Sequence, residues 1–132
     1  MTKKLPKILL VDDDIDFIAA TREVLASVPY DVVVAFDGNE GLKKAREENP
    51  DLVLLDIIMP MKDGFTAAEQ FKKEPTLSKI PIIMLTSYST QRGGTSIPVS
   101  SGYTLDAEDY IEKPVEPKAL IQAIEKYLKG KK

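Results

Sequence analysis

The sequence predicts a doubly wound α/β sandwich, a five-stranded parallel sheet with helices on both faces. Three observations lead there. Short aliphatic runs alternate with stretches of helical period. Those runs are apolar throughout, as in parallel strands buried on both sides. Right-handed crossovers then wind such a chain into three layers. The 132 residues, 43% hydrophobic and 30% charged, match one globular domain spanning 1–132 with a core of about 5–130.

The elements follow in order. KILLV at 7–11 is too short for a helix and reads as a buried strand. Residues 14–27 place Ile15, Ile18, Ala19 and Leu25 near a 3.6 period, which predicts a helix stopped by Pro29. DVVVAF at 31–36 is β-branched and predicts a second strand. Asp37-Gly38 marks a turn into a polar, exposed helix over 39–48, broken by Asn49-Pro50. DLVLL at 51–55 is a third strand, and PMKDG at 60–64 a loop. Phe65, Ala68 and Phe71 predict a helix over 65–74, ended by Pro75. IPIIML at 80–85 is a fourth strand, with Pro81 near its start, where a missing N–H is tolerated. A short fifth strand covers 108–111. Leu120, Ile121, Ile124, Tyr127 and Leu128 share one face of a final helix over 116–129.

Composition excludes several chemistries. With no Cys there is no disulfide framework, thiolate zinc site or cysteine nucleophile. With no His the commonest general base and transition-metal ligand are missing, and a Ser-His-Asp triad is impossible. Chemistry falls to carboxylates, hydroxyls and lysines. A net charge of −3 argues against direct nucleic-acid binding. Residues 113–132 are basic, with six Lys against two Glu, and read as solvated helix surface and tail. No apolar run reaches the roughly 18 residues of a membrane span, and the first residues lack a signal-peptide core. The expectation is a cytoplasmic protein with no membrane contact.

In a doubly wound sheet the functional crevice lies beyond the carboxyl ends of the strands. There the sequence puts Asp12-Asp13-Asp14 after strand one, Asp56 after strand three, Thr86-Ser87 after strand four and Lys113-Pro114 after strand five. Taken singly, each is an ordinary turn former, cap or surface residue. Their convergence on one edge is informative. Clustered carboxylates repel one another. A hard divalent cation with oxygen ligands relieves that repulsion. A carboxylate can also accept a phosphoryl group as an aspartyl-phosphate. Positive charge and a hydroxyl donor would stabilise the transferring phosphoryl oxygens.

Four segments, ILLVDDD at 8–14, DLVLLDIIMPMKDG at 51–64, IPIIMLTS at 80–87 and DYIEKPV at 109–115, occur in order. Through them the chain resembles the response-regulator receiver domain of two-component signalling over roughly residues 5–130. The resemblance implies a flavodoxin-like (βα)5 fold and a switch phosphorylated on Asp56 by a partner sensor histidine kinase or phosphotransfer protein. It implies Mg²⁺ (or Mn²⁺) held by Asp12, Asp13, Asp56 and the backbone carbonyl of Ile58. It makes Thr86 the hydroxyl donor to the phosphoryl group and Lys113 its cationic partner. Tyr110 becomes the aromatic that turns inward with Thr86, and Lys113–Pro114 an expected cis peptide. Asp14 is left over and reads as a helix N-cap. Beyond its own phosphorylation and dephosphorylation no enzymatic activity is implied, and the output protein is unspecified. The positions flanking the dephosphorylation water path are Ile58 and Tyr88; neither orients water well, so slow phosphate loss is expected.

One stretch departs from the family. The 26 residues between Thr86 and Lys113 contain Gly93-Gly94, Pro98, Gly102 and many Ser and Thr. These disfavour a helix interior, so the fourth helix of the family order is expected to be atypical, a loop or a short, shifted helix. Three rival readings stand beside the switch. One is a constitutive scaffold with a silent site. Another is a dehalogenase-like phosphatase, whose D-x-D-x-[TV] pattern DDDID does not match. The last is a flavin-binding fold, which lacks its phosphate loop after strand one.

Overall fold

The structure is a computed structural model that describes residues 5–57, 64–86, 107–113 and 115–129. The described elements run β1 (Lys7–Val11), α1 (Ile15–Ala26), β2 (Asp31–Ala35), α2 (Gly38–Glu48), β3 (Leu52–Asp56), α3 (Gly64–Lys73), β4 (Ile82–Thr86), β5 (Asp109–Glu112) and α4 (Pro117–Lys129). All pairings are parallel, and the sheet order is β2-β1-β3-β4-β5. The expected atypical helix between β4 and β5 lies outside the described residues.

Strand alternation sorts the core into two layers. Ile8 and Leu10 of β1, Leu52 and Leu54 of β3, and Ile83 and Leu85 of β4 pack with Ile18 and Leu25 of α1 and with Leu120 and Ile124 of α4. Their neighbours Leu9, Val11, Val53, Leu55, Ile82 and Met84 pack instead with Leu42, Ala45, Ala67, Ala68 and Phe71 of α2 and α3. Both faces of each central strand are dry, which is why these runs are apolar at every position.

Local chemistry sets the element ends. Asp14 caps α1, its side chain accepting hydrogen bonds from the N–H groups of Asp16 and Phe17. Asp37 caps α2 through Glu40 N–H, while Glu40 Oε1 accepts from Phe36 N–H at 2.8 Å. Asn49 closes α2 in the left-handed region (φ 53°) and donates to Ala45 O. Short polar side chains tolerate that conformation.

Several expectations shift. Ile15 belongs to the predicted apolar stripe but is 70% exposed. It occupies the first turn of α1, and the helix is anchored lower down, by Ile18, Thr21 and Leu25. Helix α2 is not polar all round; Gly38, Gly41, Leu42 and Ala45 form a buried face. A Cβ at Gly41 would stand 3.0 Å from Val11 Cγ2, so the absent side chain lets the helix lie close on β1. Strand β4 starts after Pro81, which has no N–H to donate. Glu108 precedes β5 as a bracket: its N–H donates to Ile82 O, and its Oε1 accepts from Ile82 N–H, both at 2.7 Å. The described cis peptide bond is Val28–Pro29. The expected one at Lys113–Pro114 lies outside the described residues. Among the described residues no helix is long and apolar enough to cross a membrane.

Candidate functional site

The chain leaves β1 in one direction towards β2 and returns on the other side to β3, β4 and β5. That reversal opens a crevice beyond the carboxyl ends of β1 and β3. Asp12 and Asp13 follow β1, and Asp56 is the last residue of β3. The backbone there is fixed by ladder bonds, Asp12 N–H to Ala35 O at 3.0 Å and Ile57 N–H to Leu85 O at 3.1 Å. Asp12 and Asp56 therefore stand on the fixed edge of the sheet, with Asp13 in the bend that follows.

Asp12 has no exposed surface and Asp56 only 4%, whereas Asp13 is exposed. One carboxylate oxygen from each of the three lies within 4.8 Å of the others. A buried carboxylate is costly unless hydrogen-bonded and paired. Asp12 meets that requirement at both oxygens. Its Oδ1 accepts from Asp14 N–H at 2.9 Å, and its Oδ2 accepts from Lys113 Nζ at 2.8 Å. The same ammonium stands 3.7 Å from Asp56 Oδ1. Lys113 thus crosses from the end of β5, at the sheet edge, to carboxylates on β1 and β3. Its ammonium also sits 4.2 Å from the centroid of the Phe17 ring on α1.

Among the described residues, Lys113 brings a positive charge to this cluster of three carboxylates. Their donors are hard oxygens, closely spaced and mutually repelling. That donor set fits a hard divalent cation such as Mg²⁺, which uses few carboxylates and fills its remaining positions with other oxygens.

The remaining expected site residues divide. The backbone of Thr86 ends β4 opposite Glu112, but its side chain is outside the description. Ile58, Tyr88 and Pro114 also lie outside the described residues. Tyr110 is half-buried on β5 opposite Met84 and packs against the α2/α3 side of the core. Asp14 is the α1 N-cap, as its position suggests. Sequence reading missed Phe17 altogether. Its signal is weak, an aromatic three residues past a cap, because its contact with Lys113 joins α1 to the residue after β5.

The chain matches the family model of the response regulator receiver domain over residues 8–125. It is 40% identical over 123 residues to a probable transcriptional regulator, ycf27, of Cyanophora paradoxa; the match covers 93% of this chain and 48% of that protein. The chain therefore spans about half the length of such relatives. It is 33% identical to protein PilH of Pseudomonas aeruginosa, covering 96% of this chain and 100% of that one. Among solved structures it is similar to a CheY-like receiver domain protein from Methanospirillum hungatei, with a TM-score of 0.84, 32% identity and 97% of both chains covered. With that fold, that strand order and an acidic pocket at the sheet's carboxyl edge, the chain belongs to the response regulator receiver domain family of two-component signalling.

Proposed function

We propose that residues 5–130 form one receiver unit that acts in the cytoplasm as a phosphorylation-activated switch, with Asp56 as the phosphoacceptor. The observation that carries this reading is the convergence of Asp12, Asp13, Asp56 and Lys113 on one edge of the sheet, with Asp12 and Asp56 buried. An Asp56 oxygen attacks the phosphorus of a phosphohistidine on a sensor kinase or phosphotransfer protein. The P–N bond breaks, its electron pair stays on the imidazole, and an acyl phosphate remains on Asp56. The chain, having no His, takes its donor from a partner.

Residues carry the step as follows. Asp12, Asp13, Asp56 and the Ile58 carbonyl would hold Mg²⁺ (or Mn²⁺). That ion, when bound, supplies positive charge to the phosphoryl oxygens. Lys113 has its ammonium within reach of Asp56 and neutralises another phosphoryl oxygen. Thr86, closing β4, donates its hydroxyl to the phosphoryl group. Tyr110, two strands from the crevice, follows Thr86 and alters the surface offered to an output protein. No enzymatic activity towards other substrates is part of this reading, nor is direct nucleic-acid or membrane binding.

Calorimetric titration with Mg²⁺ tests it against the silent scaffold. Saturable binding by the wild type that is lost in Asp13→Asn supports the switch. A wild type that binds no Mg²⁺ at millimolar concentration contradicts it.

A further inference from the structure

The contact between Phe17 and Lys113 is not needed to satisfy either residue. Lys113 already donates to Asp12 at 2.8 Å, and Phe17 already packs against the α1/α4 core. Yet the ring face is presented to the ammonium at 4.2 Å, in a site where the lysine side chain is only 17% exposed. An aromatic face attracts a cation through its quadrupole, more strongly when water is excluded. It has no charge of its own and does not compete for a metal ion.

That neutrality matters because Asp12 has two claims on it. It pairs with Lys113 in the structure, and it belongs to the trio suited to a divalent cation. When Asp12 turns to a divalent cation, Lys113 loses its nearest carboxylate and is repelled by the new charge. Something other than Asp12 must then keep the ammonium beside Asp56. The backbone holds Phe17 in place: its N–H is bound by the Asp14 cap in the first turn of α1.

We propose that Phe17 is a positioning residue for phosphoryl transfer, its ring acting as a second seat that keeps the Lys113 ammonium facing Asp56 when Asp12 is engaged elsewhere. The assignment rests on the proposed function. Phe17 touches no reacting atom; it acts through Lys113.

The test compares Phe17→Leu and Phe17→Tyr with the wild type. Leu keeps an apolar side chain on α1 without a π face, and Tyr keeps the face. The first readout is the initial rate of phosphoryl gain from acetyl phosphate with Mg²⁺, followed by intact mass. The second is the NMR shift of the Lys113 ε-methylene protons, which a ring face moves upfield, read with and without Mg²⁺. The expected result is a slowing of about fivefold in Phe17→Leu, the rate equivalent of one partly desolvated cation–π contact. Phe17→Tyr keeps a rate within twofold of wild type. The upfield shift persists in Mg²⁺ for the wild type and Phe17→Tyr and disappears in Phe17→Leu. Equal rates for wild type and Phe17→Leu overturn the proposal, as does equal slowing in both variants, which marks mere packing. A ring shift lost from the wild type on adding Mg²⁺ overturns it without touching the proposed function. A wild type that gains no phosphoryl group overturns the proposed function and this assignment with it.

Discussion

Lys113 Nζ lies 2.8 Å from Asp12 Oδ2 and 3.7 Å from Asp56 Oδ1. The ammonium is therefore bound to the supporting carboxylate and only adjacent to the expected nucleophile. Asp12, with no exposed surface, requires that partner. Asp56 is left within reach of the same charge. A new group on Asp56 can thus draw Lys113 across about 1 Å without any movement of the backbone, within ordinary side-chain freedom.

The cluster is strained by like charge, so removing one carboxylate relieves it. Asp56→Asn is expected to stabilise the metal-free protein, on the order of 1 kcal/mol. Lys113→Met is expected to destabilise it by about 2 kcal/mol, because Asp12 stays buried without its cation; the figure is below that for breaking a fully buried pair, since Lys113 keeps some exposure. Urea midpoints in a chelator-containing buffer measure both. A lower midpoint for Asp56→Asn contradicts the repulsion argument.

Neighbouring aspartates at 13 and 14 are assigned different work, and their variants should separate. Asp14→Ala removes the α1 cap and is expected to cost about 1 kcal/mol, with Asp14→Asn close to neutral. Asp13→Ala leaves no cap unmade and is expected to spare stability while abolishing Mg²⁺ binding. Thermal melts and Mg²⁺ titrations of the three variants form the check. Loss of Mg²⁺ binding in Asp14→Asn, with stability unchanged, reverses the assignment.

Gly41 sets the distance between α2 and β1. In Gly41→Ala a gain in helix propensity opposes a Cβ contact of 3.0 Å with Val11, so the net change stays within about 1 kcal/mol. Gly41→Val adds bulk against a fully buried strand residue and is expected to cost about 2 kcal/mol or more. Denaturant unfolding decides; a tolerated valine shows that the helix can retreat from the sheet.

Two glutamates are expected to contribute to acid sensitivity. A hydrogen bond from Lys7, reinforced by its charge, holds Glu48 below its ordinary value of 4.5. Arg46 does the same for Glu74, its Nε donating to both oxygens at 3.1 Å and tying α2 to the end of α3. A carboxylate depressed in the folded state adds stability above its unfolded value, and that stability is lost as pH falls through the folded one. Stability is therefore expected to decline below about pH 4.5, and Glu48→Gln with Glu74→Gln to flatten that decline. Unfolding midpoints between pH 3 and pH 6, on the order of the carboxylate range, test it. An unchanged acid limb in the double variant rules these pairs out as its cause.

The layers, the parallel strands and the acidic edge were legible because they rest on local patterns. Apolar runs such as ILLV and LVLL name buried parallel strands, and an Asp after each names the edge. Boundaries moved where a single backbone group decided them, as at Pro81 and at Glu108, whose bracket on Ile82 precedes β5. Ile15 misled because periodicity reports which side of a helix an apolar residue lies on, not whether the sheet extends beneath its first turn. Phe17 was invisible for the opposite reason: its partner lies nearly a hundred residues away, and only the assembled sheet brings them together.

The most direct measurement of the central claim is intact-mass spectrometry after incubation with acetyl phosphate, with and without Mg²⁺, beside an Asp56→Asn control. The account predicts one added phosphoryl group that requires Mg²⁺ and is absent from the control. A wild type that gains none, or a control that gains as much, contradicts the assignment of Asp56 as the phosphoacceptor.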